Sequence, residues 1–267
     1  MFMAIKGVLK KEFIYMYRSP KGTMFEILLP IINIIPLLLT VWFLNNNFGN
    51  AAFVEYTNTN HMNNYYCVTL LGLVFINLSE SSGYLLEREM YFGTLEQIWL
   101  APNSSRALIF GWYIFLTLKS LLHFMIFMGI SFFMIDISIV NFPLLLILLL
   151  ILMIFAFGLG IIIEAITLYF RQADAIISTI MGLIPILSCV SFPINVLHPV
   201  VQHIAKLLPT TYLFDLIKYS LAGSRLIFDI QVELMVVVAS SILFVIISFR
   251  FYYKMYKKAK KCGMNYL

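Results

Sequence analysis

Long apolar stretches, joined by short polar connections, restrict this sequence to very few folds. A membrane-spanning helix needs about 20 consecutive, mainly apolar residues, so 267 residues have room for about six crossings and no separate soluble domain. The hydrophobic fraction of 61% and the mean hydropathy of +0.93 lie outside the range of soluble domains, in which about half of the residues are apolar. We therefore predict an all-α integral membrane protein whose residues 1–267 form a single transmembrane domain.

The hydropathy pattern predicts six membrane-spanning helices at 24–44, 62–86, 107–135, 142–168, 176–193 and 232–249. Before them, residues 1–22 begin with an amphipathic helix. Its apolar residues recur every three or four positions, and Lys6, Lys10 and Lys11 occupy the other side. Such a helix lies in the membrane interface, with its lysines among the lipid headgroups.

Residues 195–224 differ in kind from the spans, because they form two short amphipathic segments. Pro199 suits the first turn of a helix, and Pro209 ends that helix. Each segment is too short and too polar to cross a membrane, so both are predicted to be interfacial or re-entrant helices.

The placement of basic residues predicts the orientation. Of the 18 Lys and Arg residues, five precede the first span, two follow the second, one follows the fourth and six lie in the tail, which makes 14 on one side. Cytoplasmic loops carry such an excess. The sequence therefore predicts a multi-pass protein of the plasma membrane with both termini in the cytoplasm and residues 195–224 facing outward.

The stretch Glu87–Pro102 is a charged segment between two apolar runs, and it predicts a short helix at 94–101. Gly93 permits a sharp entry, Thr94 can cap the first N–H groups, and Gln97 can reach back to the cap. Glu96 lies in the first turn, where the helix dipole favours an anion, and Pro102 ends the helix. The helix could lie on the membrane surface or dock a soluble partner.

Motifs for catalysis and nucleotide binding are absent from the sequence. It contains no phosphate-binding loop, no HExxH and no GxSxG, so we predict no catalytic residue and no nucleotide site in this chain. Cys67, Cys189 and Cys262 show neither zinc spacing nor a disulfide pattern, and no metal site is predicted. No segment combines basic and aromatic residues as nucleic-acid-binding modules do.

Ionisable residues inside predicted spans are functional candidates, because burial in hydrocarbon costs several kcal/mol without a partner. Lys119 and His123 are four residues apart and share one helix face, while Glu80 and Glu164 are the available acids. A packing ion pair between Lys119 and one of these carboxylates is the simpler interpretation. A polar path for a substrate, or a Lys119 side chain extended toward the interface, remains open.

Two motifs resemble those of one known family. The pattern E-R-E-x-x-x-G-T-L-E-Q-x-x-x-A-P over residues 87–102, and L-P-T-T-Y-L-F-D over residues 208–215, are similar to motifs of the ABC-2 type permeases. These are membrane subunits of one class of ABC exporter. Lys218 stands where many members of that family have an arginine, which keeps the charge but not the bidentate geometry.

The resemblance implies a subunit without its own enzyme activity that dimerises, with an identical or a related copy, around a central path. It also implies two copies of a cytoplasmic ABC ATPase subunit, which would bind ATP and Mg, whereas this chain binds no cofactor. Residues 94–101 would be the coupling helix that contacts the ATPase. The implied coupling residues are Glu87, Glu89, Gly93, Thr94, Leu95, Glu96, Gln97 and Pro102.

By resemblance, the cargo is a drug, a peptide or a lipid-like amphipathic molecule, and cell-wall polysaccharide or teichoic acid is the alternative. The many Phe and Met residues slightly favour an amphipathic or apolar cargo. Trp112 and Tyr113 are candidates to face a glycan path. Function classes outside ABC export also remain, namely an ion-coupled carrier or channel, or a lipid-modifying membrane enzyme.

Overall fold

The computed structural model describes residues 2–22, 24, 62–83, 89, 91, 93, 105–134, 140–170 and 174–261. Every regular element in this part of the chain is helical, which confirms the prediction of an all-α protein. Beyond Met24, the predicted first span lies outside the described residues, as does the predicted coupling helix 94–101.

The described residues include eight α-helices and one 3₁₀ turn. The 3₁₀ turn is Ile194–Val196, and the helices are α1 (Phe2–Arg18), α2 (Met62–Gly83), α3 (Ser105–Met134), α4 (Phe142–Phe170), α5 (Asp174–Leu187), α6 (Pro199–Leu207), α7 (Pro209–Ala222) and α8 (Ile230–Lys261). Helices α2, α3, α4, α5 and α8 lie in the regions of the predicted second to sixth spans. Helices α6 and α7 lie in the predicted amphipathic region 195–224.

Within the described residues, α4 and α8 are the two helices long and apolar enough to cross a membrane, over residues 142–170 and 230–258. Shorter apolar segments lie in α2 at Cys67–Ser81, in α3 at Leu108–Leu122 and in α5 at Ile177–Leu187. The complete six-span architecture therefore stays a prediction.

Helix α4 is the centre of the bundle, and its most extensive contacts are with α8 and α2. Its side chains Leu148, Phe155 and Ile161 are almost wholly buried. Two glycines bring neighbouring helices unusually close. A Cβ atom on Gly83 of α2 would lie 2.3 Å from Cγ2 of Ile163, and a Cβ on Gly158 would lie 2.8 Å from Cδ1 of Phe244 in α8. Small residues allow such approach between membrane helices.

Helix α5 ends earlier than the predicted fifth span. It stops at Leu187, and residues 188–193 form a turn in which Cys189 has a φ of 53°. Pro185 lies inside the last turn and has no N–H to donate to the Met181 carbonyl, which weakens the end of the helix. At 14 residues, α5 is about 21 Å long, shorter than the hydrocarbon layer of a bilayer.

Helix α8 continues 12 residues beyond the predicted sixth span, from residue 249 to Lys261. The extension contains neither Gly nor Pro. Tyr252 is 5% exposed, and Met255 and Tyr256 pack on the core, so tertiary contacts support this part of the helix. The basic tail is thus largely a rigid helix.

The two short helices have different environments. Helix α6 keeps most of its side chains exposed, whereas α7 packs against α2, α4 and α8 and buries Leu213, Phe214 and Ile217 completely. Helix α6 is therefore a surface helix, and α7 is a short helix inserted into the bundle. Gly223 ends α7 with a φ of 66°, a conformation that favours glycine.

Candidate functional site

The bundle has two ends with different chemistry. Helix α1, residue Glu89, the start of α3 and the C-terminal ends of α4 and α8 lie at one end, which we call the basic end. The turn 188–193, helices α6 and α7 and the start of α4 lie at the opposite end, where the Asn141 N–H donates to the Ser220 carbonyl at 2.9 Å.

An ion pair at the basic end joins distant parts of the chain. Nζ of Lys11, in α1, lies 2.6 Å from Oε1 of Glu89, which follows α2 by six residues. The Glu89 side chain is only 3% exposed, whereas that of Lys11 is 56% exposed. A carboxylate buried to this degree needs such a partner, because an unpaired buried charge is strongly destabilising. The pair holds α1 against the segment that leads into residues 94–101.

Helix α1 is also held by apolar contacts with α3. The ring of Phe13 contacts the ring of Phe115 edge-on, with 5.6 Å between the ring centroids. Val8 also lies close to Gly111 of α3, because a Cβ atom added to Gly111 would be 2.9 Å from the Cβ of Val8. Next to Phe115 on α3, Trp112 Nε1 donates to the Ser81 carbonyl at 3.2 Å. Helices α1, α2 and α3 are thus linked around Glu89.

Two of the predicted coupling residues lie in the described part of the chain. Glu89 is buried against α1, and Gly93 has a φ of 67° with open space where a Cβ would be. This left-handed conformation agrees with a sharp turn at that glycine. The other predicted coupling residues lie outside the described residues, namely Glu87, Thr94, Leu95, Glu96, Gln97 and Pro102.

Of the predicted intramembrane residues, Glu80 and Glu164 lie within about one helical turn of the same level, and Lys119 lies further along the bundle. Trp112 contacts Ser81, so Glu80 lies near the level of Trp112, while Lys119 is seven residues, about 10 Å, further along α3. Glu164 is 1% exposed and directly follows Ile163, the residue that Gly83 touches near the basic end. His123 lies on α3, and its side chain is not among those that the structure describes. The role of Lys119, in packing or in a path, stays a prediction.

The aromatic candidates for a glycan path pack inside the chain. Trp112 is 8% exposed and stacks with Phe115 at 5.8 Å. The Tyr113 ring lies 4.2 Å from that of Phe157, and its hydroxyl donates to the Met153 carbonyl of α4. Both side chains therefore serve the α2–α3–α4 contact.

Lys218 organises the opposite end. Its Nζ donates to the Cys189 carbonyl and, at 2.9 Å, to the Phe192 carbonyl, so a lysine of α7 binds the turn that follows α5. Ser188 and Thr210 add a hydroxyl pair at 2.6 Å between the same two parts. The sequence placed Lys218 on an outward helix but gave no sign that it binds main-chain carbonyls.

Burial and their mutual charge shift the pKa values of Lys218 and Asp215, which lie on α7, a helix too short to span a membrane. Burial lowers the pKa of Lys218 to about 8, and the nearby Asp215 carboxylate partly opposes this shift. Burial raises the pKa of Asp215, while the Lys218 charge and a hydrogen bond from the Ile227 N–H at 2.9 Å lower it. Desolvation dominates for both groups. The arrangement fits a structural pair that joins α5, α7 and the 223–229 loop.

The elbow between α6 and α7 is closed by hydrogen bonds. The Thr211 hydroxyl donates to the Ala205 carbonyl at 2.6 Å, and the Tyr212 hydroxyl donates to the Lys206 carbonyl at 2.7 Å. The Ala205 carbonyl also accepts from the Leu208 N–H at 3.1 Å, so the two hydroxyls add to the hydrogen bonding at the end of α6.

In the described ranges, no group of three or more His, Cys, Asp or Glu side chains is arranged to hold a metal ion. Cys67 and Cys189 are buried free thiols.

Comparison with known proteins gives one family match. The sequence profile described as "ABC-2 type transporter" matches residues 3–222, which run from the second residue of α1 to the end of α7. A search of curated proteins finds no match at a significant level.

Proposed function

The chain belongs to the ABC-2 type transporter family, and from this membership we propose that it is the permease subunit of an exporter driven by ATP hydrolysis on a separate ATPase subunit. Its family is one of transport permeases that are not themselves catalytic. The proposal assigns two copies of the ATPase, with ATP and Mg bound there, and a second permease copy, identical or related. It also places both termini and the basic end in the cytoplasm.

The ion pair between Lys11 and Glu89 is the observation that carries the coupling part of this proposal. A coupling element must transmit force, and a loop that moved independently of the bundle could not do so. The buried Glu89 carboxylate fixes α1 to the chain that enters residues 94–101, and α1 is packed along α3. Movement of an ATPase bound at 94–101 would therefore reach α1, α2 and α3 together.

We assign an amphipathic cargo, such as a drug, a peptide or a lipid-like molecule. The aromatic residues Trp112 and Tyr113 are used in packing between helices. Their use in packing favours an amphipathic cargo over a cell-wall glycan, because a glycan would need exposed aromatic rings along its path.

A reconstituted system tests the proposal. The chain and a co-expressed ATPase subunit would be placed in liposomes, and ATP hydrolysis and transport would be measured with lipids, drugs and glycolipids. Replacing Leu95 by Arg, or Glu96 by Lys, should leave insertion and basal hydrolysis intact and lower transport per ATP by about tenfold, because a charge change at a buried contact costs about 1.4 kcal/mol or more.

One result would overturn the coupling assignment, and two others would overturn the function. Normal transport by both variants would exclude 94–101 as the coupling helix. Transport driven by an ion gradient in the chain alone would show an ion-coupled carrier, and turnover of a lipid headgroup would show a membrane enzyme.

A further inference from the structure

One face of α8 is exposed along the whole helix. Apolar side chains spaced three or four residues apart form its first part, among them Met235, Ile242, Leu243, Ile246 and Ile247. The same spacing continues without a break through Arg250, Tyr253, Lys254, Lys257 and Lys258, which are also exposed. Residues at this spacing share one side of a helix. We call this second part, Arg250 to Lys258, the basic stripe of α8.

The other side of the same segment holds the stripe in place. Tyr252 is 5% exposed and stacks with Tyr256 at 6.0 Å, and Met255 packs on the core with them. Nζ of Lys258 lies 5.7 Å from the ring of Tyr169, at the end of α4. The basic stripe is therefore fixed on the outside of the bundle and cannot swing freely as a loose tail would.

The level of the stripe follows from helix geometry. The 20 residues from Ile230 to Phe249 rise by about 30 Å, which equals the thickness of the hydrocarbon layer. Arg250 then lies at the boundary, and Lys254 and Lys257 lie about 6 and 11 Å further along. Phospholipid headgroups occupy this zone. The Tyr253 ring, which lies 4.6 Å from Nζ of Lys257, is the kind of side chain enriched there.

We propose that the basic stripe of α8 binds an anionic phospholipid, whose acyl chains lie along Leu243, Ile246 and Ile247 and whose phosphate lies against Arg250, Lys254 and Lys257. Residues 250–261 contain no acidic side chain that would repel the phosphate. Because the apolar and basic parts are one continuous face, a single lipid can satisfy both. The proposal rests on the membrane location of the chain and not on its export activity.

Lipid binding by the purified full-length chain tests this. In a neutral detergent, the chain would be titrated with dioleoyl phosphatidylglycerol or dioleoyl phosphatidylcholine, and bound lipid would be counted by native mass spectrometry. The anionic lipid should bind in preference to the zwitterionic one, and binding should weaken as salt rises. The double change Lys254→Gln with Lys257→Gln should weaken phosphatidylglycerol binding by about tenfold.

Two further variants are matched to this one. Lys206→Gln with Arg225→Gln removes the same charge from exposed positions at the opposite end and should bind phosphatidylglycerol as the unmodified chain does. Lys254→Arg with Lys257→Arg should also retain binding, since the charge remains.

Equal binding of phosphatidylglycerol and phosphatidylcholine overturns the proposal. An equal loss of phosphatidylglycerol binding in the Lys254/Lys257 and the Lys206/Arg225 glutamine variants also overturns it. So does a Lys254/Lys257 variant that binds phosphatidylglycerol normally and loses a co-purified ATPase subunit, because the stripe would then be a protein-docking surface. None of these binding measurements depends on transport activity, so the lipid result could still be interpreted if the exporter assignment failed.

Discussion

At the scale of single residues, buried charges are the most informative features of this protein. Glu89 and Lys218 are 2% exposed, and each one joins segments far apart in sequence. Glu89 joins the segment after α2 to α1, and Lys218 joins α7 to the turn after α5. Buried charges cost free energy unless they are paired, so their presence indicates positions where movement between the joined segments is restricted.

The Lys11–Glu89 pair gives the first residue-scale prediction. Lys11→Gln removes the charge that faces Glu89, so α1 should separate more easily from the coupling segment. We expect ATP hydrolysis to continue while cargo moved per ATP falls several-fold, measured in the reconstituted system. Lys10→Gln, at an exposed neighbouring position, is the control and should be unchanged. Exchange of the two charges, Lys11→Glu with Glu89→Lys, should restore part of the loss.

Equal transport per ATP in the Lys11→Gln and Lys10→Gln variants would show that the ion pair has no part in coupling.

Lys218 gives the second residue-scale prediction, which concerns stability. Lys218→Met keeps the length of the side chain but removes the donor to the Cys189 and Phe192 carbonyls and leaves Asp215 without its nearby cation. Unfolding free energy should fall by about 2 kcal/mol or more. The measurement is thermal unfolding in detergent. Lys206→Met, at an exposed position on α6, should change the melting temperature little, and similar values for both variants would contradict the role of Lys218.

At the scale of elements, the closeness of helices is set by glycines on the contact faces. Gly83 lets the end of α2 rest on Ile163 and on the Gly160 carbonyl of α4, 3.2 Å from where a Cβ would lie. Ile163 is branched at Cβ and therefore has few rotamers with which to yield. By contrast, Gly182 in α5 has open space around the position of a Cβ.

Gly83 and Gly182 allow a matched pair of predictions about stability. Gly83→Ala should destabilise the protein by about 1–2 kcal/mol, because the added methyl group forces α2 away from α4. Gly182→Ala should be neutral or stabilise by up to about 1 kcal/mol, because alanine is the better helix former. Thermal unfolding of both variants in the same detergent provides the test. A Gly83→Ala variant as stable as Gly182→Ala would mean that the close contact carries no energy.

At the scale of the whole molecule, exposed cations occur at both ends of the bundle. The exposed cations of α1 and of the basic stripe lie at the basic end, while Lys206 and Arg225 are the exposed cations of α6 and of the loop after α7. Charged groups of this kind are costly to carry through a bilayer, so the two ends should lie on opposite sides of the membrane.

Cysteine labelling in intact cells tests this orientation. The parent chain carries Cys262→Ser, while Cys67 and Cys189 are buried and should react little. Arg225→Cys should be modified by a membrane-impermeant maleimide in intact cells. Lys257→Cys should be modified only after the membrane is permeabilised. Labelling of Lys257→Cys in intact cells would invert the predicted topology and remove the basis for an ATPase at the basic end.

The sequence by itself determined the helical class, the membrane character and the family, and it located the described helices to within a few residues at most ends. These are local properties, since apolar length, helical periodicity, Pro199 and Pro209 act within one or two turns. The motif over residues 87–102 carried the family resemblance, which the match over residues 3–222 confirms.

Only the tertiary structure decided which helix is buried and which charges meet. Helices α6 and α7 are both short and amphipathic in sequence, yet α7 alone is enclosed, because α2, α4 and α8 supply its neighbours. Lys11 meets Glu89 across a separation of 78 residues, and the helical tail of α8 is supported by the end of α4. Such contacts depend on how distant segments are brought together in space, and a periodic pattern within one segment contains no information about its partner.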